Sequence, residues 1–291
     1  MSTKAGAAPS TYSPSTQKKK PQKPTFNHSN AVRSDGRGFY QCRPAYLRTG
    51  AVNAAGGSAY AEFGNTKVIV SVSYNPESVT VSVGQYLCTL FWFILHTGTS
   101  QASGSPLRFG PRESKKAMMY SNVGRLNCSV SYTPFATQIR GQGSEHKEFS
   151  SVLHKALEGA ILLESFPKTT VDVFALVMES GGSDLPVIIS CASLALADAG
   201  IMMYDMVAAV SLSSLGPNLI IDPLLEEECC QDGSLMFTYM PSRSEVTQLA
   251  ITGEWTTPKI HEGMELCVDA SKKLADIMRS CLKEADSPSN E

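Results

Sequence analysis

Residue types that could hold an anion or move a proton gather at a few places along the 291 residues. Arg33, Asp35, Gly36, Arg37 and Arg43-Pro44 come first, followed by Thr49-Gly50, Gly57-Ser58-Ala59 and Gly64-Asn65-Thr66-Lys67-Val68. Charged, turn-forming and small residues sit there between strand-like runs. Glu179-Ser180-Gly181-Gly182-Ser183-Asp184 lies between an alternating apolar run and an apolar helical stretch. In such a strand–turn–helix context the backbone amides at the helix start can receive an anion. Asp222 and Glu226-Glu227-Glu228 supply carboxylates, which can place a metal ion or transfer a proton. Other chemistries find no support. There is no G-x-x-x-x-G-K-[ST] and no G-x-S-x-G. His28, His96, His146, His154 and His261 have no metal spacing, and the eight cysteines include no C-x-x-C pair.

The Arg33–Tyr74 stretch resembles the opening of the RNase PH family, phosphate-dependent 3′→5′ RNA-degrading enzymes and their ring-forming relatives. The resemblance extends over nearly all of Ala31–Lys283, including Cys191–Gly200 and Thr252-Gly253-Glu254-Trp255. Within the family the chain is similar to eukaryotic exosome ring subunits of the mRNA transport regulator type, which also carry an Asp-Pro…Glu-Glu-Glu stretch. The resemblance implies an α+β fold, RNase PH-like (ribosomal protein S5 domain 2-like), with mixed sheets packed with helices. It implies a hetero-oligomeric six-membered ring of RNase PH-like subunits, S1/KH cap subunits, and RNA threading the ring channel to nucleases bound elsewhere. It implies no cofactor, no metal and no membrane, and residence in the nucleus and nucleolus and also the cytoplasm.

Phosphorolysis must hold a doubly charged anion beside the RNA backbone, which requires cationic donors and helix N-terminal amides. Active relatives carry Asp-Gly-Gly-Thr-Arg-Thr/Ser where this chain has Glu179–Asp184. Ser183 can stand for the threonine, but the arginine position is Asp184. A negative charge 4 Å from phosphate costs roughly 1 kcal/mol per unit charge in water and about 4 at an effective dielectric of 20. Asp184 is expected instead to cap the helix that it opens. The family's two catalytic acids, six residues apart, fall at Asp222 and Glu228. Glutamate sets its head group ~1.5 Å farther out, and Pro223 removes a donor; an acidic surface turn is the simpler reading of this stretch. On the helix that offers arginines in active members, Glu148 matches the family, Ser151 stands at the arginine position, and Lys155 keeps charge without a guanidinium fork. Arg112, Lys115, Lys116 and Arg140 could touch RNA phosphates without chemistry. Arg33, Asp35, Arg37 and Arg43 are read as parts of the fold and its ring contacts. The expectation is a ring subunit that is not an enzyme. An active phosphate-dependent 3′→5′ exoribonuclease and a free-standing RNA-binding module are the alternatives.

Strand and helix patterns must position these groups. Tyr46–Asn53, Ser58–Phe63 and Lys67–Tyr74 read as strands, and Gly56-Gly57 and Gly64-Asn65 as short turns that favour antiparallel pairing. Arg125–Thr133 and the alternating Val171–Met178 are further strands. Ser144–Ser165 has helical spacing and Pro186–Ala199 reads as a buried helix ending at Gly200. Met206–Leu212, Asn218–Ile221, Leu235–Met240 and Val246–Ile251 read as strands, and Lys259–Lys283 as a closing amphipathic helix. Strands and helices without regular βαβ alternation favour α+β.

A net charge of −2 leaves nucleic-acid contact to a local basic patch or a partner. Apolar (42%) and charged (18%) fractions suit a globular domain. The organisation expected is a polar, basic tail over 1–30, disordered for want of apolar residues to bury, an RNase PH-like domain over 31–285, and a second tail over 286–291. The N-terminus has no apolar run of signal-peptide type, and the cysteines fit a reducing compartment. Residues 75–109 depart from the family. Their apolar core, Tyr86–Leu95, is too short to span a bilayer and too apolar for an exposed loop. The segment reads as an insertion ahead of Gly110-Pro111-Arg112-Glu113, an unspliced translated stretch rather than a functional module, with a loop that packs on a partner as the alternative.

Overall fold

The structure, a computed structural model, describes residues 33–75, 123–136, 145–166 and 169–286. Both expected tails except Asp286, the 75–109 segment except Asn75, and Arg112, Lys115, Lys116 and Arg140 lie outside the described residues.

The described chain forms strands β1 (Ala45–Thr49), β2 (Gly57–Phe63), β3 (Thr66–Asn75) and β4 (Arg125–Tyr132), helix α1 (Glu145–Glu158), β5 (Thr170–Glu179) and α2 (Asp184–Asp198). There follow β6 (Ala208–Leu215), β7 (Asn218–Ile221), a one-turn α3 (Leu225–Glu228), β8 (Gly233–Met240), β9 (Glu245–Gly253) and α4 (Thr257–Asp286). Two sheets result, one ordered β1-β2-β3-β5-β4 and one β7-β6-β8-β9. The first three strands are antiparallel neighbours, as their short turns require. β4 and β5 pair in parallel, Leu126 opposite Val171 and Val130 opposite Ala175. The β4–α1–β5 crossover that this needs was not among the sequence expectations. The architecture is α+β, as expected.

α2 is the centre of the molecule. It packs on β2 and β3 of one sheet and on β6 of the other. Residues Pro186–Leu196 are all buried, so the helix is apolar all round rather than amphipathic. Its two interior serines meet polar groups that would otherwise be orphaned. Ser190 Oγ accepts Ala209 N at 3.0 Å and Ser193 Oγ accepts Val207 N at 2.8 Å, tying the start of β6 to the helix. The small residues permit close approach; a Cβ on Gly57 would collide with Ala199. β5 alternates strictly, with Val171, Val173, Ala175 and Val177 inward. Fully burying such a valine contributes roughly 1.5–3 kcal/mol.

Boundaries differ from expectation where tertiary contacts intervene. α1 ends at Glu158 instead of running to Ser165, and a 3-10 turn covers Leu163–Ser165. Ala160 O there accepts Tyr204 N at 2.8 Å and Ile161 bridges to Met203, so the chain leaves the helix to pair with the segment before β6. β1 stops at Thr49 rather than Asn53, and Gly50 takes a left-handed turn with φ 66°. α4 extends to Asp286, one residue into the expected tail.

Candidate functional site

The end of β5, the start of α2, the end of β7 and the one-turn α3 meet at one place. The N-terminal segment 33–43 lies against them.

On the α3 side, Arg43 grips Asp222. Arg43 Nε donates to Asp222 Oδ2 at 2.8 Å and an Nη to Oδ1 at 2.6 Å, a bidentate fork, while Arg43 N also donates to Oδ2 at 2.8 Å. The remaining guanidinium donors reach Thr66 Oγ1 (3.1 Å) and Gly182 O (2.9 Å). Arg33 binds both carboxylate oxygens of Glu227, and it also donates to Ile221 O (2.8 Å) and Asp222 O (2.9 Å). Glu227 Oε2 in turn accepts Leu224 N at 2.8 Å, the third-residue half of a helix-start capping box. All of these side chains are buried, Glu227 at 1% exposure and Asp222 at 7%. The stretch is therefore not an acidic surface turn. Its alternate acids enter the interior because two buried arginines, separated from them by 179 and 194 residues, require them. Arg33 and Arg43 are likewise consumed inside the fold, and Arg33 has no exposed side chain to offer a neighbouring subunit. Arg37 binds Asp35 and lies 3.6 Å from Asp222. Asp222 adopts φ 52°, a left-handed conformation that aspartate tolerates better than most residues, and the Arg43 fork holds it there.

On the loop side, the glycines are needed for fit. Gly182 has φ 96°, and a Cβ on it would run into the backbone of Pro223–Leu225. The loop's polar groups are taken by the chain itself. Gly181 N donates to Thr66 Oγ1 (3.1 Å), Gly181 O accepts Leu225 N (3.1 Å), and Ser183 Oγ donates to Pro223 O (2.9 Å) and accepts Ser211 Oγ (2.7 Å). Ser183 N, an amide at the start of α2, donates to Glu228 Oε1 at 2.8 Å. The extra methylene of glutamate thus delivers a carboxylate onto a helix-start amide, the kind of group that receives anions.

Asp184 does not cap α2. Ser183 occupies the cap position with φ 53° and makes no side-chain cap bond. Asp184 is the first helical residue and its carboxylate accepts hydroxyls: Ser180 Oγ at 2.6 Å, Tyr132 OH at 3.3 Å and Thr66 Oγ1 at 3.4 Å. The favourable helix-dipole placement survives; the cap bond does not. Burial pushes the Asp184 carboxyl up, against those hydroxyls and Arg43. Burial also pushes Glu228 up to about 7, opposed by the Ser183 amide and reinforced by Asp184. Among the described residues neither acid forms an ion pair.

The structure thus brings Asp184, Asp222 and Glu228 together. It leaves Ser151 exposed on α1 with no bond to the loop, and Lys155 is exposed one turn further on. α1 meets the site through Phe149, whose ring lies 6.2 Å from that of Tyr132. Sequence reasoning included Thr66, Ser180 and Glu227 in its candidate stretches without giving them these roles, and it did not single out Tyr132. Only Glu227 left a local trace, as the glutamate three residues past the Leu224 helix start. No group of His, Cys, Asp and Glu among the described residues could hold a metal ion, and no described helix is long and apolar enough to cross a membrane.

Two sheets around a buried central helix, with an acid-and-glycine site at the meeting of their halves, match a known architecture. The sequence matches RNase PH, the 3′ exoribonuclease family, with domain 1 at residues 41–89 and 108–202 and domain 2 at 205–270. The chain belongs to the RNase PH (3′ exoribonuclease) family. Residues 90–107, unmatched between the two parts of domain 1, fall within the 75–109 segment. The chain is 60% identical over 293 residues to an Arabidopsis thaliana protein named exosome complex component RRP41-like, covering 100% of both. It is 32% identical over 251 residues to mouse exosome complex component MTR3 (84% of this chain, 83% of the relative), and 30% identical over 269 residues to Pyrococcus furiosus exosome complex component Rrp41 (91% and 93%). In fold it is similar to the crystal structure of rice Rrp46, with TM-score 0.64, 23% identity and coverage of 86% of this chain and 100% of that one.

Proposed function

We propose that this chain is a structural, non-catalytic subunit of an RNA exosome ring, supporting 3′→5′ RNA processing and degradation by associated nucleases. Ring membership is supported by the relatives named as exosome components, two of them matched over more than nine-tenths of both chains. Loss of chemistry is supported above all by one observation: the helix-start amide of Ser183 is occupied by the chain's own Glu228 carboxylate, with Asp184 beside it at the position where active relatives carry arginine. An incoming phosphate dianion would find the Ser183 amide taken by Glu228, an acid rather than a cation at Asp184, and Arg43 already committed to Asp222. The partners of this reading are other RNase PH-like ring subunits, S1/KH cap subunits and RNA in the channel, in the nucleus, nucleolus and cytoplasm, with no membrane. Arg112, Lys115, Lys116 and Arg140 are its candidate RNA contacts, and 75–109 its insertion.

The second reading, an active phosphorolytic exoribonuclease, is favoured by one specific feature. A carboxyl that titrates near neutrality is suited to general acid catalysis, and Glu228 does so at about 7.

Co-purification with mass spectrometry, and a phosphorolysis assay on the same material, separates the readings. The structural reading expects RNase PH-like and S1/KH partners in stoichiometric amounts. Recovery of the chain alone, with phosphate-dependent release of nucleoside diphosphates, would overturn it.

A further inference from the structure

A second feature of the fold adjoins the acid site across the Arg43–Asp222 pair. A cavity of about 350 Å³ lies between α4, the start of β6 and the 40–45 segment. Phe63, Val187, Val210 and Leu274 make its walls, and the Arg43–Asp222 pair forms part of its lining. Val187, Val210 and Leu274 are buried. At the rim stand Tyr40 and Ile277, 57% and 47% exposed, beside Lys273. The size falls within the usual range of small-molecule sites, and the lining is predominantly apolar with a few polar groups, as in such sites.

The charges around it decide the chemistry of its ligand. Four of the five guanidinium N–H groups of Arg43 are engaged on Asp222, Thr66 and Gly182, and both Asp222 oxygens accept from Arg43. At the rim Lys273 donates to Asp269 at 2.7 Å. Each cation therefore already has its anion. Inside the cavity a charged ligand would have to break the buried Arg43–Asp222 pair or enter apolar surroundings unpaired, which is costly, whereas the exposed Lys273–Asp269 pair at the rim opposes little. An uncharged apolar molecule meets neither obstacle.

We propose that this cavity is a binding site for an uncharged, apolar small molecule, seated between α4 and the buried ion pair that holds the acid site's backbone. Its occupant touches Arg43 and Val187, and through them the segment that bears the Ser183 loop.

The test uses the purified full chain and three probes of one skeleton: neutral indole, anionic indole-3-acetate and cationic tryptamine, each titrated by NMR. Saturable indole binding is expected, about tenfold or more tighter than either charged relative, a preference set by the cost of desolvating an unpaired charge. Ala270→Phe fills the cavity from α4 and should abolish it. Should that variant fail to fold, Ile277→Arg at the exposed rim should weaken binding several-fold with an unchanged melting temperature. Equal binding of the three probes, binding that ignores both substitutions, or no saturable binding would each overturn the proposal. So would failure of all three to bind while Ile277→Arg blocks association with a partner subunit, which would assign the cavity to a partner's side chain.

Discussion

The two halves of the acid site treat their carboxylates differently. On the α3 side the two buried acids each have a cation: Asp222 lies in the Arg43 fork and Glu227 is bound by Arg33, both with hydrogen bonds to spare. On the loop side Asp184 and Glu228 have hydroxyls and an amide but no ion-pair partner among the described residues, and burial pushes both carboxyls up. Buried charge is tolerated only when paired or neutralised. The α3 side takes the first route and is built as structure. The loop side is left without such pairing, and burial there disfavours the charged form of both acids. On the proposed structural reading, phosphate would be refused by the half that lacks cations rather than by the half that carries Asp222.

Breaking the paired half should have the largest effect. Arg43→Ala leaves buried Asp222 with only the more distant Arg37 guanidinium, 3.6 Å away, and should cost about 3 kcal/mol in denaturant unfolding. The joint replacement Arg43→Met with Asp222→Asn, which keeps a residue tolerant of φ 52°, should cost clearly less than Arg43→Ala alone, because no lone charge remains. Equal losses would mean that the pair does not hold this region together.

The unpaired half gives the opposite sign. Glu228 is held at about 7 against an ordinary value of 4.5. The folded protein therefore keeps a proton that the unfolded chain releases. The stability linked to that proton is complete below pH 4.5, falls as pH rises through the interval up to about 7, and is absent above it. Glu228→Gln stays neutral, so at pH 8 it should be more stable than the parent by on the order of 1–3 kcal/mol, with a flatter profile across that interval. A variant less stable than the parent at pH 8 would show that the carboxylate is better accommodated than its burial implies. A smaller effect is expected at Tyr132→Phe, which removes one hydroxyl from Asp184. It should cost about 0.5–1 kcal/mol near neutral pH by thermal unfolding, and less in acid, where Asp184 carries its own proton.

Much of the fold was legible in the sequence because it is local. The alternation of Val171–Val177 fixes β5, the mainly apolar Pro186–Leu196 fixes a buried helix, and Gly64-Asn65 fixes a hairpin. The parallel β4–β5 pairing was not legible, since nothing in either strand states its partner. In the site, Asp184, Asp222 and Glu228 could be found by resemblance, but their surroundings could not. The Arg33–Glu227 and Arg43–Asp222 contacts join residues 194 and 179 apart and leave no spacing to read. The same limit explains the two misreadings. Asp184 reads as a cap until Tyr132 and Ser180 are seen to claim it, and the Glu226–Glu228 run reads as surface until the buried arginines appear.

The central claim is that the chain's own acids have displaced phosphate from this site. RNA labelled at its 3′ end, incubated with the purified chain and inorganic phosphate, tests it most directly. No labelled nucleoside diphosphate should be released at any pH from 6 to 8. Phosphate-dependent release that disappears in Glu228→Gln would contradict the account.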